Sequence, residues 1–253
     1  MKTVLSIREM QDLALQFRRA GRRIGLVPTM GFLHEGHLSL IRQARAEADV
    51  VVVSLFVNPA QFGPGEDYAR YPRDLDRDSR LCEKAGVDVL FCPSAEEMYP
   101  RDYSVYVEET QLSTGLCGAS RPGHFRGVTT VVAKLFHIVL PEVAVFGRKD
   151  AQQARLIEQM AADLNFPVRI VLAPTLREPD GLAMSSRNVY LSVSERRQAT
   201  CLVEALRLAR RLYDEGPRDA ESIRKAMQDL IGRAPEANIE YIENVDYRTL
   251  KDR

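Results

Sequence analysis

Two of the four histidines in this 253-residue chain fall within one helical turn, in the stretch Arg23–Ile41, "RIGLVPTMGFLHEGHLSLI". His34 and His37 bracket Glu35-Gly36 just past an apolar run. A zinc-protease helix needs two histidines four apart on one face. Here the spacing is three, Gly36 interrupts, and no third ligand stands out. Two readings stay open. The histidines satisfy local hydrogen bonds in a loop, or they mark an anion site at a helix start. In the second, Gly36 lets backbone come close, and the free amides and the helix dipole favour a phosphate. Imidazole N–H groups there would stabilise charge developing on a transferring phosphoryl group.

Other side chains have a plain reading as they stand. Lys149-Asp150 follows an apolar run and reads as a solvated charge pair opening a helix. Ser185-Ser186 reads as an ordinary turn or helix cap. Gln61 and Gln153 read as surface amides. Asp78 lies in the charge-rich run "RDLDRD", which reads as a solvated helix face. His124 follows Pro-Gly before a long apolar helix and reads as a structural cap. His137, inside that helix, is read as a core or surface histidine without a catalytic part. No Ser-His-Asp or Cys-His arrangement is evident.

These residues need a frame. Ser6 with Glu9 reads as a capping box, after which Ile7, Met10, Leu13, Ala14 and Phe17 share a helical face that Gly21 can end. Residues 23–28 read as a strand, and 49–59, "DVVVVSLFVNP", as a strand buried on both faces. The alternation continues with helix 74–86, strand 87–92, helix 124–139, strand 142–147, helix 150–163 and strand 167–173. Strands alternating with helices predict right-handed crossovers and a Rossmann-like α/β fold, a mostly parallel sheet with helices on both faces. Ligands collect at the carboxyl ends of such strands, and the loops carrying His34, Gln61 and Lys149 all follow strands. After about residue 175 the pattern changes. An Asp180-Gly181 turn signal, helices 195–214 and 218–232 and an apolar strand at 237–247 predict a smaller C-terminal α+β domain, dividing the chain at 1–175 and 176–253.

Lys+Arg and Asp+Glu balance at 35 each, which gives no support to a general nucleic-acid or membrane-surface role. No apolar run approaches the roughly 18 residues of a membrane span. The N-terminus turns charged and amphipathic too early for a secretory signal. Four cysteines without a Cys-x-x-Cys pair suit reduced thiols and a cytoplasmic location.

"PTMGFLHEGH" resembles the His-x-Gly-His motif of the adenylyl-transferring superfamily that includes class I aminoacyl-tRNA synthetases and nucleotidylyltransferases. With "FVNPAQF" (56–62), "YPRDLDRD" (71–78), "RPGHFRGVTTVV" (121–132), "FGRKDAQQ" (146–153) and "GLAMSSRN" (181–188) in this order, the chain resembles the pantoate–β-alanine ligases. That resemblance implies adenylation of pantoate by Mg-ATP, then attack by β-alanine on the acyl adenylate. It implies His34, His37 and Lys149 at the ATP phosphates, Gly147 in the ATP site, Asp150 on the ribose, and Ser185, Ser186 and Arg187 closing over the triphosphate with Met184 near adenine. It puts Gln61 and Gln153 on pantoate, whose hydroxyls and carboxylate suit amides that both donate and accept, Met30 at the bend between the two sites, Asp78 on the magnesium side and His124 near the active site. A homodimer is implied as well. The chain departs from the family pattern at Arg148, where an acidic residue or Gln is common, and at Ala151, where an aromatic is common. Family members also continue beyond "YRTLKDR", so residues 176–253 are expected to form a shortened lid. A nucleotidylyltransferase acting on a phosphate ester and a nucleotide-binding module without catalysis are the competing readings.

Overall fold

The computed structural model describes residues 1–216 and 219–252. The chain divides into two compact units, Met1–Thr175 and Leu176–Arg253. The first unit runs β1 (Lys2–Val4), α1 (Ile7–Arg19), β2 (Ile24–Thr29), α2 (Glu35–Glu47), β3 (Val50–Leu55), α3 (Leu75–Lys84), β4 (Val89–Phe91), α4 (Ala95–Met98), α5 (Cys117–Ser120), α6 (His124–Val139), β5 (Val143–Gly147), α7 (Ala151–Asp163) and β6 (Arg169–Ala173). The strands form one parallel sheet in the order β1-β4-β3-β2-β5-β6.

Local chemistry explains the elements. The Ser6 hydroxyl accepts the Glu9 amide at 3.2 Å and starts α1. β3 opens with Val50-Val51-Val52-Val53, each at 0% exposure, so it must be covered on both faces. Alternation assigns the faces. Val27, Val51, Val53, Val143 and Val145 cluster with Leu40, Ile41 and Ala44 of α2 and Cys82 of α3. Their neighbours Leu26, Val50, Val52 and Ala144 are equally buried and point the other way, where α1 and α6 pack on β2 and α7 on β5.

The strand order reverses at β2/β5, the switch point where such sheets bind ligands. Proline sharpens that point. The Ile24 carbonyl accepts the Glu142 amide on the β5 side, so Leu26 and Pro28 face β5 as well. Pairing of β2 with β5 ends at Leu26↔Ala144, whereas pairing with β3 continues to Thr29↔Leu55. Pro28 has no N–H to donate, so the ladder to β5 stops there and the strand ends part.

The second unit contains α8 (Val193–Gln198), α9 (Cys201–Glu215) and α10 (Ala220–Ile231). Cys201 and Ala205 of α9 pack with Ile223, Met227 and Ile231 of α10. Three sequence expectations change. The helix expected over 195–214 is two helices broken at residues 199–200. The helix expected from 218 begins at Ala220, residue 218 itself lying outside the described residues. Residues 237–247 do not form the expected strand; their only pairing among the described residues is the single bridge Val245↔Asp252. Without a second extended segment among the described residues to complete a ladder, the run stays irregular, with Ile239, Tyr241 and Tyr247 exposed. This unit is therefore helical rather than α+β. β1, three residues long, has no counterpart in the sequence reading.

Candidate active site

The loop leaving β2 turns sharply through two left-handed residues, Gly31 (φ +85°) and Phe32 (φ +49°). At Gly31 a Cβ would lie 3.2 Å from an Asp78 carboxylate oxygen, so both backbone angle and space favour glycine. For Phe32 the conformation is strained and needs outside support. Asp78 of α3, 2% exposed, supplies it by accepting the Phe32 amide at 2.6 Å and the Leu33 amide at 2.8 Å. Arg77 donates to the Leu33 carbonyl at 2.8 Å and lies over the Phe32 ring, 5.0 Å from its centroid. Burial raises the Asp78 pKa, while the two amides and Arg77 pull it back. The expected magnesium-side carboxylate thus holds one backbone amide on each of its oxygens. Among the described residues no group of three or more His, Cys, Asp or Glu side chains is placed to hold a metal.

His34 is the N-cap of α2, and its carbonyl accepts the His37 and Leu38 amides. The His34 amide in turn donates to His37 Nδ1 at 3.3 Å. That bond requires a lone pair on Nδ1, so the neutral His37 ring carries its proton on Nε2. The rings lie 4.0 Å apart, inclined by 32°. His34 Nδ1 is buried without a hydrogen-bond partner, the kind of atom that a bound group satisfies. Burial first, then the charges of Lys149 and Arg77, hold the His34 pKa down at about 4. Burial, His34 and Lys149 hold His37 at about 3. Both rings are neutral near pH 7.

Lys149 comes from the short turn Arg148–Asp150 that follows Gly147 at the end of β5. Its Nζ lies 3.3 Å from Asp150 in an exposed pair of little energetic weight. The Lys149 charge nevertheless acts on both imidazoles. The switch point therefore collects two neutral donors, a cation and the free amide end of α2.

Gln61 ends the 3-10 turn Pro59–Gln61 after β3, and its Nε2 touches Met30 Sδ at 3.5 Å. Asn58, 1% exposed, fixes the amide. Its Nδ2 donates to Gln61 Oε1 and to the Gly127 carbonyl, each at 3.1 Å, and its Oδ1 accepts Tyr99 Oη–H at 2.8 Å. With Oε1 held by Asn58, Gln61 presents N–H donors beside Met30, a suitable face for a carboxylate or hydroxyl. A cavity of about 280 Å³ opens beside Met30 and Gly31 and is lined also by Phe56, Tyr68, Arg73 and Cys92.

Gln153 lies half-buried in the first turn of α7. Its neighbour Gln152, which the sequence did not single out, is buried and ties down residues 112–117 through the Leu112 and Gly115 carbonyls and the Cys117 amide. Asn58, Arg77, Tyr99 and Arg121 were likewise missed. Their partners are 41 to 69 residues away in sequence for the longest bonds of Asn58 and Tyr99, and periodicity carries no sign of them. His124 is 8% exposed beside the Gln61 carbonyl, and His137 is exposed against the Phe166 ring.

Met184, Ser185, Ser186 and Arg187 belong to the second unit. The Met184 amide bonds the Leu176 carbonyl at 3.0 Å. Ser185 caps the turn Ser186–Tyr190 by accepting the Arg187 amide at 3.3 Å, and Ser186 is buried.

Comparison with known proteins places this geometry in context. Pantothenate synthetases of Thermotoga petrophila and Heliobacterium modesticaldum are each 59% identical over 251 residues, 99% of this chain and 90% and 89% of theirs. The crystal structure of pantothenate synthetase from Thermus thermophilus superposes with a TM-score of 0.94 at 46% identity, covering 100% of this chain and 90% of that one. The Francisella tularensis pantoate-beta-alanine ligase, solved as a complex with beta-gamma ATP and beta-alanine, gives a TM-score of 0.86 at 37% identity over 97% of this chain and 90% of that one. The pantoate-beta-alanine ligase family model matches residues 2–253, and with the whole sheet, its switch point and the sequence in agreement, the chain belongs to that family.

Proposed function

We propose that the chain condenses pantoate with β-alanine at the cost of ATP. A pantoate carboxylate oxygen attacks the α-phosphorus of ATP and pyrophosphate leaves. The β-alanine amine, having lost a proton from its ammonium form, then attacks the acyl carbon of the adenylate. The amide bond forms, the acyl–oxygen bond to AMP breaks, and pantothenate departs. No enzyme nucleophile is required, so the protein contributes position and charge.

In this reading His37 donates its Nε2–H to a phosphate oxygen. His34, whose buried Nδ1 lacks a partner, offers the second imidazole contact, and Lys149 adds a fixed positive charge. Gly147 and Asp150 lie on the nucleotide side. Gln61, Gln153 and Met30 hold pantoate. Met184, Ser185, Ser186 and Arg187 of the second unit, as a lid, bind the nucleotide. Magnesium belongs with the triphosphate, because the described residues offer no cage for it. Mg²⁺ suits such a place, since it keeps most of its waters and takes few protein ligands. A homodimer and a cytoplasmic location complete the proposal; light scattering tests the first.

The observation that carries the reading is the close, neutral histidine pair at the N-terminus of α2, in the loop that follows β2 and within reach of the Lys149 charge. Neutral imidazoles donate to a phosphate without competing for its protons. The test is exchange of labelled pyrophosphate into ATP with single acids. Label should enter ATP only with pantoate. Exchange supported by a phosphopantetheine instead would overturn the ligase reading in favour of a nucleotidylyltransferase, and nucleotide binding without exchange would leave only a binding module.

A further inference from the structure

The start of α6 holds a chain of polar contacts that the phosphate chemistry does not use. Glu66 receives the Arg121 guanidinium at two points, Nε to Oε1 at 2.9 Å and Nη2 to Oε2 at 2.6 Å. Arg121 Nη1 lies 3.1 Å from His124 Nε2. On the far side of that ring, Nδ1 lies 2.8 Å from the Gln61 carbonyl oxygen.

The two neighbours settle where the proton sits. A guanidinium can only donate, so Nε2 must present its lone pair. A carbonyl can only accept, so Nδ1 must carry the hydrogen. Both demands are met by one neutral tautomer, Nδ1–H, the minor form of histidine in water. Arg121 is itself held in place by the two-point grip of Glu66, which fixes the guanidinium plane.

The contact reaches a sensitive place. The 59–61 turn sits against α6 so closely that a Cβ at Gly127 would lie 2.2 Å from the Ala60 carbonyl oxygen. Asn58 ties the same turn to the Gly127 carbonyl and orients the Gln61 amide. Backbone position at Gln61 therefore sets where its Nε2 donors stand beside Met30.

We propose that His124, its proton confined to Nδ1 by Arg121, is a positioning residue that aims Gln61 at the organic acid, with Glu66–Arg121 as its brace. This rests on the reading of Gln61 as a pantoate ligand.

The experiment uses the full chain. Imidazole ¹⁵N spectra of the wild type should report His124 as Nδ1–H; a predominant Nε2–H form would overturn the proposal. Asn carries an amide donor near the place of Nδ1, whereas Gln carries one near the place of Nε2. His124→Asn should keep the KM for pantoate within a few-fold, while His124→Gln and His124→Ala should raise it about tenfold, the loss of one oriented hydrogen bond. The KM for ATP should stay unchanged in all three. Equal behaviour of Asn, Gln and Ala, or a parallel rise in both KM values, would reduce His124 to a structural part and overturn the proposal. Gln61→Ala run alongside separates the two ideas. If it leaves the pantoate KM unchanged, the ligand reading of Gln61 fails whatever the tautomer. If it raises that KM while His124→Gln does not, the positioning role fails alone.

Discussion

The His34 imidazole lies 4.0 Å from that of His37, and the backbone amide of the first donates to Nδ1 of the second. Burial holds both rings uncharged; a proton on His37 would also meet His34 and the Lys149 charge, and a proton on His34 the charges of Lys149 and Arg77.

This pairing has a pH consequence. The folded pKa values, about 4 for His34 and about 3 for His37, lie below the unfolded value of 6.5. Below pH 6.5 the unfolded chain binds protons at these sites while the folded chain does not, so stability falls with pH until about 4 for His34 and about 3 for His37. Above 6.5 the pair makes no pH-dependent contribution. Urea midpoints between pH 7 and 4 should fall less steeply in His37→Gln than in the wild type. Identical slopes would contradict the neutral-pair description.

Removing Lys149 should act on chemistry and on titration. Lys149→Ala and His37→Ala are each expected to slow adenylation by roughly two to three orders of magnitude, the scale of losing a donor at developing charge. Lys149→Ala should also raise both histidine pKa values, because its charge depresses them. A near-wild-type rate, or unmoved titrations by NMR, would count against these roles.

Asp78→Asn distinguishes a loop anchor from a metal ligand. The amide cannot accept from both Phe32 and Leu33, so one buried N–H loses its partner. The expected cost is about 2 kcal/mol in urea denaturation, with slower adenylation as the loop before His34 relaxes. Extra magnesium should not restore the rate; recovery at high magnesium would favour the metal role.

Gly127→Ala places a methyl group where the Ala60 carbonyl stands. The 59–61 turn or α6 must give way, with a stability loss of about 1–3 kcal/mol and a higher pantoate KM. An unchanged melting curve together with unchanged KM would show that this contact has slack.

Much of the first unit could be read from the chain because its signals are local. The Ser6 cap, the valine run of β3 and the apolar face of α6 are each fixed within a few residues, and all became the expected elements. β1 was missed because three residues are too few for a period, and its reason for being a strand is β4, some 87 residues later. The supposed strand at 237–247 had the right side chains but, among the described residues, no neighbouring strand to pair with. At the site, residue types and spacing named His34 and His37, and only the family resemblance named Gln61. Neither could reveal Asp78 as a buried anchor or Gln152 as a brace, since those roles are defined by amides and carbonyls brought close only by folding.

Pro28 gives the crevice a covalent origin. Because the hydrogen that would have extended the seam toward β5 was never synthesised, the opening exists before any nucleotide arrives. Little of a ligand's attraction then goes to prying the strands apart, and more of it is left to strain the reacting phosphate.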